Sequence, residues 1–374
     1  MAGIYIHIPF CKQKCNYCNF FSSASSKNKE DFINALLKEI ALQQPYINGE
    51  EINTIYFGGG TPSLLTKNNI EDIFNQLHKY YSISKNCEIT LEANPDDLSK
   101  EKLTDIKNTP VNRLSMGIQS FDEDDLKYLN RIHSSQQAID AIKNAQDIGF
   151  NNITIDLIYG IPGLTDEKWN TNLTKAFELE VPHISSYCLT IEEGTALHHL
   201  INKGKAKAVD EEQGIRQFEL LMDAMKTHNY IHYEISNFCK DGFVSIHNSN
   251  YWRQQKYLGL GPSAHSYNLV SRQWNTANIT KYIASIDKRI VPFEREILTD
   301  DQKYNEYILT SLRTIWGINK EYLKQNFSTE INIHFDKSIQ KHLQQDTVEL
   351  NDAIYTLSRK GKFIADGIAA DLFI

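Results

Sequence analysis

The chain has 374 residues, a formal net charge of −8 and six cysteines. That length allows one large domain plus a smaller one with ample core. Lysine and arginine are spread along it rather than massed, so no nucleic-acid-binding face is expected. No apolar run approaches the roughly 18 to 20 residues of a transmembrane helix. The opening residues also lack the basic, apolar and small-residue order of a secretory signal, so a cytoplasmic protein with reduced thiols is expected.

The first predicted strand, residues 4–8, leads directly into Cys11-Lys-Gln-Lys-Cys15-Asn-Tyr-Cys18. Three thiolates at CxxxCxxC spacing can hold three irons of a [4Fe-4S] cube and leave the fourth without a protein ligand. An open iron can bind a small molecule. A structural zinc site would want four ligands, commonly as two close pairs, and no second CxxC follows. A disulfide framework is implausible at six cysteines in 374 residues without a secretory signal. Cys87, Cys188 and Cys239 are expected to be small buried hydrophobes.

A helix is predicted over 29–44, with Phe32, Leu36 and Ile40 on one face. The strand that follows, 52–57, ends in Phe57-Gly58-Gly59-Gly60-Thr61-Pro62. Three glycines permit positive φ and let a ligand approach the backbone, and a tight turn is the plainer reading. Next come a helix over 68–80 and a strand over 88–92 that ends in Glu92. A carboxylate there suits two neighbouring ribose hydroxyls; a helix-capping or surface acid is the alternative. A strand over 111–117 is followed by Gln119, and a helix over 135–148 by a strand over 153–158 that carries Asp156. An unpaired charge in such an apolar run is expensive, which makes Asp156 a site candidate or half of an ion pair. A sixth strand covers 183–190. Six β/α units predict a parallel sheet curled towards a barrel, with chemistry at the carboxyl ends of its strands.

Past about Thr195 the pattern changes to a polar helix over 210–228 and an aromatic segment over 230–267. A further helix begins near residue 298, capped by Thr299-Asp300-Asp301. The tail, 347–373, alternates loosely around a turn at 360–362. The expected α/β architecture is therefore a main domain over 1–295 and a small α+β domain over 296–374.

The set CxxxCxxC after a Tyr-x-His-x-Pro-Phe strand, GGGTP, Glu-x-Asn-Pro, GIQSF and DLIYGIPG resembles the radical S-adenosylmethionine superfamily. More narrowly, it is similar to the branch that contains oxygen-independent coproporphyrinogen III dehydrogenase and the HemW heme chaperones. The resemblance implies a partial (β/α)6, TIM-like radical SAM barrel. It implies that Cys11, Cys15 and Cys18 ligate [4Fe-4S], with S-adenosylmethionine on the open iron. Tyr5, Gly59, Gly60, Thr61 and Glu92 would surround that cofactor. In the superfamily an electron from the reduced cluster cleaves the sulfonium to methionine and a 5′-deoxyadenosyl radical, so an electron donor is an expected partner. Gln119, Arg131 and Asp156 match positions that serve a second S-adenosylmethionine in the dehydrogenase.

Three features divide the branch. The dehydrogenase has a cysteine two residues after the third, where this chain has Phe20. It also carries a long amino-terminal extension, for which a first strand at about residue 3 leaves no room. Finally, His247-Asn-Ser-Asn-Tyr251-Trp252 fits the HNxxYW motif of the chaperones, whose histidine is implicated in heme binding. Imidazole can ligate heme iron, and Tyr and Trp rings suit a flat macrocycle; a hydrogen-bonded packing histidine is the alternative. His265 is a rival or neighbour. The expectation is a heme chaperone that delivers heme to acceptor hemoproteins. The runner-up is radical decarboxylation of coproporphyrinogen III in porphyrin metabolism.

Overall fold

The computed structural model describes all of residues 1–374. Six strands come first: β1 (Ala2–Ile8), β2 (Ile52–Gly59), β3 (Ile83–Ala93), β4 (Arg113–Gln119), β5 (Ile153–Tyr159) and β6 (His183–Cys188). They lie side by side in sequence order, and every neighbouring pair is parallel. Helices α1 (Lys29–Leu42), α2 (Lys67–Tyr80), α3 (Lys100–Lys107), α4 (Glu123–Tyr128), α5 (Ser135–Asp147) and α6 (Asp166–Glu178) fill the crossovers.

The strands alternate because their two faces meet different neighbours. Ile4, Ile6 and Ile8, then Ile55 and Phe57, Leu91, Leu114 and Met116, Ile155 and Leu157 join one large apolar core with the helices. Between them Tyr56, Glu92, Arg113, Ser115, Asp156 and Ser185 face a common cavity. A parallel strand buried on both faces normally reads as an unbroken apolar run. Here the inner face is polar, and that polarity is the first structural sign of a site.

Strand β1 does not pair with β6, so the barrel is open. After β6 come α7 (Ala196–Asn202), α8 (Glu211–Thr227) and two short strands, β7 (Ile231–Glu234) and β8 (Asn237–Cys239), and β8 lies antiparallel to β6. A short helix, α9 (Ile246–Trp252), precedes β9 (Lys256–Leu260), which pairs parallel to β1. Strands β10 (His265–Tyr267), β11 (Ser271–Asn275) and β12 (Phe293–Ile297), with α10 (Ile279–Asp287) before the last, extend that edge to a twelve-stranded sheet.

The large sheet runs through Ile297, and a second apolar core starts at Tyr304. It is built from α11 (Asp300–Leu312), α12 (Lys320–Asn326), α13 (Thr329–Gln344) and α14 (Ala365–Leu372) with β13 (Ile318–Asn319), β14 (Val348–Asn351) and β15 (Ile354–Leu357). Helix α11 starts on a capping box between Thr299 and Gln302. The tail differs from expectation. Its alternation stops at Leu357, and Ala365, Ile368, Ala369 and Leu372 repeat at helical spacing and are buried on α14.

Candidate functional site

A cavity of about 440 Å³ opens at the carboxyl ends of β1–β6. Its rim includes Cys11, Cys15 and Cys18 from the loop after β1, facing Gly59, Gly60 and Thr61 from the turn after β2. All three thiols are free and half-buried. The cysteine loop is tied down along its length. Lys12 Nζ pairs with Asp96 at 2.9 Å and with Asp97 just past β3. Gln13 Nε2 donates to Asn130 O at 3.1 Å, and Asn130 Nδ2 donates back to Lys14 O at 3.0 Å. Asn16 Nδ2 donates to Tyr128 O at 3.2 Å. A loop held by this many side-chain bonds presents its thiols in a fixed arc.

The glycine turn packs closely against its own chain. A Cβ on Gly60 would meet Phe10 O at 2.6 Å, and one on Gly59 would meet the His7 ring at 2.6 Å. Only Gly59 of the three has positive φ, at 107°. The glycines are therefore needed first to seat β2 against β1 and the cysteine loop. Approach of a ligand to Gly59 and Gly60 comes second. Gly60 N–H donates to Ile8 O and Thr61 N–H to Phe10 O, which fixes the turn beside the thiols.

Glu92 is no helix cap or surface acid. It stands at the end of β3 inside the cavity, accepting from Tyr56 Oη at 2.8 Å and from Gly59 N–H at 3.1 Å. Burial pushes its carboxyl up to about 7, against the pull of those two donors and with help from Asp156. Asp156 is itself pushed up to about 6 by burial, with Ser185, Arg113 and Arg131 acting the other way. Gln119 ends β4 at φ 68° with its side chain lining the cavity. Arg131 reaches in from the loop after α4. Its Nη2 donates to Asn94 Oδ1 at 2.8 Å and Gly117 O at 2.7 Å, and its Nη1 donates to Cys15 Sγ at 3.3 Å. Tyr5 stands one layer behind, stacked on Tyr56 at 6.2 Å, with its hydroxyl 3.1 Å from His7 Nδ1.

Of the cavity residues outside the sequence expectation, four bear most on its chemistry. Tyr56 forms a wall, Asn94 holds both Arg131 and Thr61, and buried Arg113 lies deep on β4. Cys188 is the fourth and corrects the reading of a buried hydrophobe: it is exposed at the end of β6 and lines the cavity. Cys87 and Cys239 are buried as expected.

His247 lies elsewhere. It is buried near the start of α9, its ring stacked on Tyr56 at 4.9 Å. Nδ1 is 2.8 Å from Thr54 Oγ1 and Nε2 is 2.8 Å from Tyr251 Oη. Burial, with the nearby charge of Arg113, pushes the imidazole down to about 3, so it is neutral at any physiological pH. Glu88 caps this helix by accepting the N–H groups of Ile246 and His247. Trp252 faces the carboxyl-terminal domain, where Arg313 lies 5.8 Å over its ring. His265 is exposed and stacks on Trp274 at 6.1 Å.

The donor set fits an iron–sulfur cluster. Three thiols share one cavity rim, a guanidinium already donates to one sulfur, and a carboxylate and backbone groups stand opposite for a polar ligand. An open parallel barrel bearing this loop and turn defines the class of radical S-adenosylmethionine proteins. Residues 5–174 match the Radical SAM superfamily, and residues 298–364 match the HemN C-terminal domain. Heme chaperone HemW of Bacillus subtilis (strain 168) is 32% identical over 372 residues, covering 98% of each chain. Heme chaperone HemW of Escherichia coli (strain K12) is 37% identical over 265 residues, 70% of this chain and 69% of that one. The solved structure of coproporphyrinogen III oxidase (HemN) from Escherichia coli, a radical SAM enzyme, superposes with a TM-score of 0.86. That match has 21% identity and covers 100% of this chain and 90% of the other, a likeness of fold. The chain belongs to the HemW family of the radical SAM superfamily.

Proposed function

We propose that this protein binds heme and passes it to acceptor hemoproteins in the cytoplasm, and that a [4Fe-4S] cluster and S-adenosylmethionine assist or regulate the transfer. No helix is long and apolar enough to cross a membrane. Cys11, Cys15 and Cys18 hold the cluster. Gly59, Gly60, Thr61 and Glu92 hold S-adenosylmethionine, with Tyr5 behind them and Gln119 and Asp156 deeper in the cavity. Bound there, cluster and cofactor supply one-electron chemistry, and a reducing partner feeds the cluster. The chain's own part is to orient the cofactor through Glu92, to let it lie close against the glycine turn, and to shield it from water inside the barrel.

The observation that carries the chaperone reading over porphyrin oxidation is Phe20. It stands 68% exposed on the cavity rim, where the oxidising branch has a cysteine. An apolar ring there offers a surface for a flat macrocycle and no thiol for chemistry. Heme iron is ligated by His247 in this reading. The histidine is closed in the structure, so ligation through Nε2 requires the Tyr251 hydroxyl to move aside. Exposed His265 is the rival ligand.

The test is a side-by-side assay on anaerobically reconstituted protein. Stoichiometric heme binding with no turnover of coproporphyrinogen III is expected. Protoporphyrinogen formation in the presence of reductant and S-adenosylmethionine would overturn the reading.

A further inference from the structure

The resemblance assigns Arg131 to a second S-adenosylmethionine, but its hydrogen bonds point to another task. The guanidinium has five N–H donors. Both on Nη2 are engaged, by Asn94 Oδ1 and Gly117 O, and one on Nη1 goes to Cys15 Sγ. Nε is buried with no partner. A carboxylate gripped by the arginine fork needs two adjacent free donors on one edge. The edge shared by Nε and Nη2 has only one left, and the edge shared by Nη1 and Nη2 has none beyond the second Nη1 hydrogen. A bidentate grip on a second cofactor's carboxylate is therefore not available.

The charge itself also lacks a partner. Arginine is permanently charged, yet no carboxylate lies within ion-pair distance of Arg131, whereas Arg113 has Glu88 at 4.0 Å. A buried cation without a counter-charge is expensive. Tyr17, Cys15 and Asp96 all act on its charge, but only the Cys15 sulfur lies within hydrogen-bond reach. Asn94 and Gly117 hold the guanidinium rigidly in place against that sulfur.

We propose that Arg131 is a tuning residue for the cluster: its hydrogen bond and charge at Cys15 Sγ raise the cluster's reduction potential. The physical cause is direct. Reduction adds an electron to the irons, which the thiolates and sulfides surround, and a fixed positive charge with a donor on one sulfur stabilises the more negative state. Arg131 thus eases electron delivery from a partner of modest reducing power. This inference rests on the cluster assignment above and is independent of where heme binds.

The experiment is a redox titration of the anaerobically reconstituted full chain, read by the visible absorbance and paramagnetic signal of the cluster. Arg131→Gln should make reduction about tenfold less favourable, which for one electron is 59 mV towards negative potential. Arg131→Lys should fall between, since it keeps the charge and loses the fork. Asn94→Leu, which frees the guanidinium, should shift the potential the same way by less. If Arg131→Gln does not assemble a cluster, the Lys and Leu variants carry the test. An unchanged potential in whichever variants assemble overturns the proposal. Equilibrium dialysis gives a second reading. The number of S-adenosylmethionine molecules bound should be the same in Arg131→Gln as in wild type, and loss of one with the potential unchanged returns Arg131 to a cofactor site. Failure of the wild-type chain to assemble a cluster would instead sink the assignment on which this rests.

Discussion

The cavity and the His247 pocket share one wall, Tyr56, whose hydroxyl bonds Glu92 on one side and whose ring stacks on His247 on the other. They differ in how much chemistry is left over. In the cavity three thiols are partly exposed, Arg131 has a free donor, and two carboxyls are held above their ordinary range by burial. Around His247 each ring nitrogen already has a partner and the ring is buried. A site with unsatisfied groups is built for a ligand before the ligand arrives. A satisfied one has to open first. The two halves of the proposed function therefore draw on a preformed site and a closed one.

The largest expected effect breaks the preformed half. Cys15→Ala should abolish the cluster's visible absorbance, since two thiols and a guanidinium cannot hold the cube. Heme binding should persist, because His247 and its partners lie outside the cysteine loop. Loss of both together would show that the sites are not separable, or that the fold has failed.

Glu92→Gln comes next and sharpens the same half. The folded carboxyl holds its proton up to about 7, against 4.5 for the ordinary value. The folded state thus binds more protons than the unfolded state in that window, and stability falls as pH rises from about 4.5 to about 7. Asp156 works the same way between 3.8 and about 6. Glu92→Gln should flatten the upper part of the fall in a thermal or denaturant series across pH. An ionised carboxylate is the stronger acceptor for ribose hydroxyls. S-adenosylmethionine affinity should therefore rise with pH through about 7 in the wild type. In the variant it should be flat and about tenfold weaker, the loss of one charged hydrogen bond. Calorimetric titration checks both.

The contrast between the two regions also sets what could be read without coordinates. The six parallel strands were legible because their outer faces alternate as the barrel requires, and Glu92 and Asp156 stood out as acids in apolar runs. Arg113 escaped because a lone arginine near the start of a predicted strand reads as a surface residue; the curl of the sheet turns it inward. Cys188 sits among apolar neighbours, which suggests burial, but β6 ends there and turns it to the rim. Helix α9 has seven residues, two turns, too short for periodicity to show. Nothing in HNxxYW says that Tyr251 would occupy a ring nitrogen of His247. That pairing follows from residues four apart sharing one helix face.

His247→Ala tests the closed half directly. Heme absorbance titration should show about tenfold weaker binding with cluster absorbance intact, while His265→Ala should leave affinity unchanged. The opposite pattern would move the ligand to the exposed imidazole stacked on Trp274.

Tyr251→Phe gives the smallest effect and the most diagnostic sign. In the closed state the Tyr251 hydroxyl and His247 Nε2 are 2.8 Å apart, and that bond must be given up before the nitrogen can reach iron. A typical hydrogen bond contributes about 1 kcal/mol net, which sets a cost on opening that heme binding must overcome. Phenylalanine keeps the edge-on packing of this ring against His247, at 5.0 Å, and removes only the bond. The closed state is then weakened and the heme-bound state is not. Affinity for heme should rise roughly fivefold, since 1.4 kcal/mol is tenfold. A ligand pocket already open would instead lose affinity, or show no change, when a polar group beside it is removed. A gain from deleting a contact is the signature of a site that has to open.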